Sequence, residues 1–397
     1  MVNRRTFIFG TAGIALTSLL ASCSQAIKGA LKVTVLQGSI PAEVLQRYQK
    51  QSETPVSFQL AEQIKTIFQQ LQRWQQPPES EGFSWGRLLP WQQTEKTPTP
   101  NNLVSLGDYW LAGAIAKNLI APLELPEESL EKLPLPWQQF VTRDAEGQLT
   151  TGQLATGQPA QSLLWAAPYQ VQTLVIVYRQ SFFPDASPEN PPFTSWRDLL
   201  QPQLRQQLAL PDHPRLVIGL LQKMQDGSFN LPIDTVTTTK KLEQQLAAPF
   251  NELNKQVKTY DATHSLKALV NKDVKAVVAW SGEVVSALRR YQDLRVTVPA
   301  EGSLLSADLW VRPQGAEMTE AAKQWVDFCW QSGPATQMSI SGRGISPVFL
   351  KTDADVPELL NDSLLPLAAI RNSEPLLPIP EKLQAAYWEL WQTLRTG

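Results

Sequence analysis

Cysteine and histidine are close to absent. The 397 residues hold two of each: Cys23, Cys329, His213 and His264. Side chains so widely spaced do not make a metal site by spacing, and two lone cysteines make no disulfide framework. No Gly-x-Ser-x-Gly elbow, His-Glu-x-x-His pair or phosphate loop occurs, so the usual carriers of hydrolytic, zinc-dependent and nucleotide-driven chemistry are missing. A non-enzyme without cofactor or metal is expected. There is no basic block, and the net charge is −2, which argues against nucleic acid as a partner. No tandem repeat is visible, and no coiled-coil pattern, so a monomer is expected. The longest apolar run, residues 7–20, is broken by Gly10 and Gly13 and is too short to span a bilayer comfortably.

What remains is a globular composition. Apolar residues make up 43% and charged residues 18%. The length exceeds one ordinary core, so two lobes are expected. Thirty-one prolines stiffen loops such as residues 188–192 and 375–380. The first 23 residues read as an export segment. Arg4-Arg5 precede the apolar run and resemble a twin-arginine signal. Leu20-Ala21-Ser22-Cys23 resembles the lipobox of bacterial lipoproteins, in which the cysteine is acylated and becomes the new N-terminus. That resemblance implies a chain held at the outer face of the plasma membrane by lipid on Cys23, with two or more acyl chains for stable anchoring. Cys329, in an apolar stretch, is read as a buried inert thiol.

The middle of the chain organises the rest. Trp165-Ala-Ala-Pro-Tyr169 reads as a turn, because Pro168 fixes its own φ and extends Ala167. Leu174-Val-Ile-Val-Tyr178 follows, apolar on both faces, as a strand covered on both sides would be. Upstream, residues 31–36 and 55–60 alternate as strands, and residues 42–50 and 63–75 carry helical spacing. Such a β-α-β-α start opens a doubly wound α/β domain. Residues 77–102 read as a surface excursion and 153–161 as a hairpin tip. A strand over 102–106 runs into Gly107-Asp-Tyr-Trp110 and a helix over 111–117. Ligands sit beyond the carboxyl ends of strands in open α/β sheets, which puts Asp108 and Tyr109 at a cleft mouth; Asp108 also suits a helix N-cap. Later strands are expected at 208–211, 257–260, 274–280 and 294–299, and helices at 216–224, 240–253, 265–271, 284–291 and 317–332. The organisation expected is an export segment (1–23), a tether (24–30), a first lobe (31–170 and, on return, 295–350), a second lobe (171–294) and C-terminal helices (351–397) of open assignment.

Several runs carry a family likeness: Val104-Ser-Leu-Gly-Asp-Tyr-Trp-Leu111, Trp165-Ala-Ala-Pro-Tyr169, Ser195-Trp-Arg-Asp-Leu199, Val277-Val-Ala-Trp-Ser-Gly-Glu283, Ala307-Asp-Leu-Trp-Val311 and Val326-Asp-Phe-Cys-Trp330. In this order they resemble the spermidine/putrescine-binding lipoproteins of bacterial ABC importers. The resemblance implies a two-lobed periplasmic-binding-protein fold of type II. Each lobe is then a mixed sheet flanked by helices, with the ligand cleft between them, closing by hinge motion. It implies a polyamine-like solute, delivery to an ABC permease with its ATPase, and no catalysis.

A flexible polycation needs spaced carboxylates for its ammonium groups and aromatic faces for its methylenes. By resemblance Tyr109 and Trp280 are the aromatic walls and Asp308 the amine-binding carboxylate. Asp108, Tyr169 and Glu283 complete the candidate ligand-binding set, with Glu301 a further acid that could compensate. The chain departs from the family where Gln37-Gly-Ser-Ile40 replaces an aromatic turn, where Asp212-His-Pro-Arg215 replaces acidic residues, and where Ser306 replaces an aromatic. Other solutes of the same fold therefore stay open: an amino-acid-like amine, an anion, or ferric iron held by Tyr109, Tyr169 and Tyr291. A sensor or scaffold lipoprotein stays open as well.

Overall fold

The computed structural model describes residues 30–75, 99–149, 162–187, 189–230, 239–261, 264–351, 370–379 and 381–396. Arg4, Arg5, Cys23, most of the 77–102 excursion and the 153–161 tip lie outside the described residues.

The opening follows the alternation of the sequence: β1 (Leu31–Leu36), α1 (Ala42–Gln51), β2 (Val56–Ala61), α2 (Ile64–Gln75), β3 (Leu103–Gly107) and α3 (Asp108–Ala116). The helix α3 starts three residues earlier than its periodicity implies. Gly107 is extended at φ −76° and ψ 145°, so the strand turns into the helix without a loop. Short pieces follow: β4 (Ile120–Ala121), α4 (Glu127–Leu130), α5 (Leu135–Val141) and the β5 (Thr142–Arg143)–β6 (Leu163–Leu164) ladder.

The central strand β7 is longer than expected, Ala167–Arg179, and buried at every position but Gln172. Beyond it come β8 (Leu208–Leu210), α6 (Pro214–Asp226), α7 (Thr239–Asn254), β9 (Val257–Tyr260), α8 (Ser265–Val270), β10 (Ala276–Trp280), α9 (Ser281–Arg290), β11 (Leu294–Thr297) and β12 (Leu304–Pro313). Pro214 and Arg215 belong to α6, because proline suits the first helical turn, where its missing N–H costs nothing. The expected helix over 317–332 is α10 (Glu320–Cys329), and a separate helix, α11 (Ser332–Ser341), follows where the expected one ends. Pro334 cannot continue the hydrogen bonding of a preceding helix, but it fits the start of a new one.

One large sheet runs through both halves of the molecule, in the order β2-β1-β3-β12-β7-β10-β8-β9, with β11 also on β7, while β5 and β6 pair only with each other. Up to Thr173, β7 pairs with β12; from Leu174 onward it pairs with β10, and from Ile176 with β11 as well. The chain passes from one half of the molecule to the other at that switch. Side chains of β7 alternate beyond it: Val175 and Val177 join one apolar cluster, while Leu174, Ile176 and Tyr178 join the other.

The C-terminal segment has a definite place. A short strand β13 (Glu374–Pro375) lies beside Leu304–Leu305 of β12. Glu374 accepts hydrogen bonds from the Phe229 amide (2.8 Å), the Ser228 hydroxyl (2.7 Å) and the Asn230 amide group (2.9 Å). The last helix (Glu381–Thr396) then buries Leu383, Tyr387, Leu390 and Trp391 in the same cluster as α6 and α7. No helix among the described residues is long and apolar enough to cross a membrane.

Candidate functional site

The site grows from the carboxyl end of β3. In the sheet register Asp308 of β12 sits opposite Gly107 on one side and Gln170 of β7 on the other. Because α3 begins at once, Asp108 is held next to Asp308. Both are almost fully buried, at 8% and 7% exposure. One oxygen of Asp108 accepts from the Ser306 hydroxyl (2.8 Å) and from the Tyr109 amide (2.9 Å). The other, Oδ2, has no hydrogen-bond partner among the described residues, and neither has Oδ2 of Asp308 nor Oε1 of Gln170. Unpaired buried acceptors are costly, and three at one place mark a spot shaped for donors from outside the chain.

The electrostatics agree. Burial pushes the Asp108 carboxyl up to about 6, against the pull of the Ser306 hydrogen bond and of the Arg143 charge. Burial pushes Asp308 up to about 7; the charge of Arg343 opposes this and that of Asp108 adds to it. Asp308 thus titrates near neutrality and Asp108 just below it, so a nearby cation would favour the ionised form of both.

Asp108 and Tyr109 line a cleft of about 470 Å³. Its opposite wall comes from the start of α6 (His213, Pro214, Arg215) and from the C-terminal segment, including Leu376, Tyr387 and Trp388. Tyr109 reaches across: its hydroxyl accepts from the Gln384 amide group at 2.6 Å, and its ring stands edge-on to His213 at 5.8 Å. Burial, then Arg215, holds the His213 pKa below its ordinary value, so it faces the cleft uncharged at neutral pH. Arg215 is spent on structure, donating to the Phe229 carbonyl (3.2 Å) and Asn230 Oδ1 (3.1 Å). Asp212 points away, accepting from Arg395 (2.7 Å) and so fastening the last helix.

The remaining candidates divide. Trp280 is half-buried at the end of β10, packed beside the second cluster, and is not among the residues lining the cleft. Glu283 is exposed in the first turn of α9; that turn is tied to β7 by the Ser281 hydroxyl, which accepts from the Thr173 amide at 3.1 Å. Tyr169 leaves the ligand-binding set. It is fully buried, stacked on Trp310 at 4.3 Å, with its hydroxyl bonded to Ser39 (3.0 Å) and Ser105 (2.9 Å). The tyrosine trio considered for iron therefore does not converge. Among the described residues no cluster of three His, Cys, Asp or Glu side chains suits a metal. Glu301 is also structural: it accepts from the Trp196 amide (2.7 Å) and the Ser195 hydroxyl (3.0 Å). Asp108 is not the N-cap of α3; Gly107 is. Cys329 is buried, and burial raises its pKa, so it is an inert thiol.

Sequence reasoning missed the C-terminal wall. Its signal was the aromatic Tyr387-Trp388 pair on an amphipathic helix, but nothing local says which surface that helix covers.

Residues 98–367 match the family model described as bacterial extracellular solute-binding protein. The spermidine/putrescine-binding periplasmic protein of Escherichia coli is 26% identical over 209 residues, which are 51% of this chain and 57% of the relative. The chain thus matches little more than half the length of such curated relatives. A spermidine/putrescine ABC transporter substrate-binding protein from Streptococcus pneumoniae superposes with a TM-score of 0.70, covering 92% of this chain and 98% of that one at 17% identity. A periplasmic thiamin binding protein superposes at 0.53 with 13% identity over 92% of this chain and 96% of the other. At these identities the likeness shows the fold: two α/β lobes with a cleft between them.

Proposed function

The chain belongs to the bacterial extracellular solute-binding proteins, and from that premise we propose that it captures a small aliphatic amine in the cleft beside Asp108 and Asp308. Family and fold are those of transport binding proteins, not enzymes. The observation that carries the reading is the pair of buried carboxyls, each with an oxygen that no described group satisfies. An ammonium group is the complementary donor, and the ring of Tyr109 offers the aromatic face beside it. The solute class named for the curated relatives supports the same choice.

Capture is by closure of the lobes about the β7–β12 crossing. A monomer carries the solute to an ABC permease and its ATPase. The chain is exported through the Arg4-Arg5 signal and anchored at the outer face of the plasma membrane by lipid on Cys23. Cys23→Ser is expected to abolish acyl labelling and release the protein from the membrane fraction. Acyl labelling that survives the change sinks the anchor.

The function itself is tested by thermal shift of the folded chain against spermidine, putrescine, thiamin, maltose and ferric citrate. A solute at a hundred times its Kd stabilises the native state by about 2.7 kcal/mol. The amines are expected to raise the Tm and the others to leave it unchanged. A shift with a non-amine alone discards the amine reading.

A further inference from the structure

Arg343 is a cation within electrostatic reach of the site's carboxyl Asp308. It stands between two glycines in the turn that follows α11, and the backbone there is tightly held. A Cβ on Gly342 would meet the Met338 carbonyl at 2.3 Å, and one on Gly344 the Val171 carbonyl at 2.3 Å. Ile345 and Val171 exchange both backbone hydrogen bonds, at 2.8 and 2.7 Å. From the other side, a Cβ on Gly282 would fall 2.1 Å from the carbonyl oxygen of Arg343 itself. Residue 343 is thus wedged between β7 and the first turn of α9, at the point where the chain passes from one lobe to the other. Its side chain runs over the turn after β1, with Cδ 3.9 Å from where a Gly38 Cβ would sit.

The guanidinium on this fixed stem is half-buried. Among the described residues it makes no hydrogen bond and no ion pair within 4.0 Å. Its field nevertheless reaches the buried Asp308, opposing the burial that raises it, and reaches Glu283 as well. A purely polycationic guest would have to sit against this charge. A planar guanidinium offers five donors in a rigid fork, and its complement is a carboxylate.

We propose that the bound solute is amphoteric, an amino-acid-like amine whose ammonium end meets Asp108 and Asp308 and whose carboxylate meets Arg343. Arg343 is then the residue that sets specificity within the amine class, and the inference rests on the amine reading above. Arg343 supplies inside the protein the positive charge that a second ammonium group would otherwise bring. A four-carbon amine with one carboxylate end suits the cleft better than a four-carbon diamine.

Titration calorimetry of the folded chain with γ-aminobutyrate and putrescine tests this, using the wild type, Arg343→Gln and Arg343→Lys. The wild type is expected to bind γ-aminobutyrate about tenfold or more tighter than putrescine, the scale of one charge-assisted hydrogen-bonded contact. Arg343→Gln is expected to erase that preference by losing γ-aminobutyrate and gaining putrescine, while Arg343→Lys keeps part of it. A wild type that prefers putrescine, or a ratio unchanged in a folded Arg343→Gln protein, overturns the inference and leaves amine capture standing. If neither probe nor any other amine binds, both fall together.

Discussion

Asp308→Asn is expected to weaken amine binding about ten- to a hundredfold while making the ligand-free protein more stable at neutral pH. The two effects share one cause. Asp308 is 7% exposed and carries an oxygen without a partner among the described residues. Its carboxylate is the group that an incoming ammonium pairs with, and one hydrogen bond to a charged group is worth about 1.5–3 kcal/mol. Without ligand the same carboxylate is a burden. Burial raises its pKa from 3.8 to about 7, so between those values the unfolded chain has released a proton that the folded chain still holds. Stability therefore falls as pH climbs from about 4 to about 7 and is level above that. Asparagine carries no such charge and removes that slope. A bound ammonium reverses the shift by favouring the ionised form. Binding at pH 6 then releases protons, binding at pH 8 releases almost none, and affinity declines as pH falls below about 7. Asp108, raised to about 6, extends the decline to lower pH. Calorimetry in two buffers of different ionisation enthalpy measures the proton release directly. Equal affinity in a folded Asp308→Asn protein, or no proton release by the wild type at pH 6, removes Asp308 from the site.

Trp310→Ala is expected to cost about 3–5 kcal/mol of stability, as other buried tryptophan-to-alanine changes do. Trp310 is fully buried on β12, with Ser105 of β3 opposite on one side and Ala167 of β7 on the other. Its ring stacks on Tyr169 at 4.3 Å and meets Trp325 edge-on at 5.5 Å. Deleting it removes the transfer energy of the ring and leaves a hole bounded by two strands and α10, elements already fixed by their own hydrogen bonds. Trp310→Phe, which keeps part of the stack, is expected to lose less. The change also loosens Tyr169, whose hydroxyl bonds Ser39 and Ser105. Urea unfolding of the three proteins decides the matter. A loss under about 1 kcal/mol in the alanine variant would mean that the cavity collapses freely.

Much of the fold was legible in local pattern. The alternation of residues 31–36, the helical spacing of residues 63–75 and the two-faced apolar run at 174–178 each became the element they implied. Asp308 stood out as an acid in an apolar run, which buried polar groups rarely are without a purpose. Where local pattern misjudged, a tertiary partner intervened. Tyr169 reads as a cleft residue beside Pro168, but Trp310, far along the chain, gives its ring a stacking surface in the core. Glu301 reads as a spare anion, but the Ser195-Trp196 turn needs its oxygen as a cap.

Sequence alone determined the class of the chain: α/β in two lobes, built around a central buried strand and with acids near strand ends. Those features follow from composition and from periods of two and 3.6 residues, which act over a few positions. Only the tertiary structure decided what the cleft contains. It set Asp108 against Asp308 through the register of β3 on β12 and laid residues 376–379 and the last helix along the cleft by packing that helix on α6 and α7. It also wedged Arg343 between β7 and α9. Each of these joins residues far apart in the chain. Such pairings are chosen by which apolar faces bury one another and which backbone groups bond, and that choice is made by the whole chain at once.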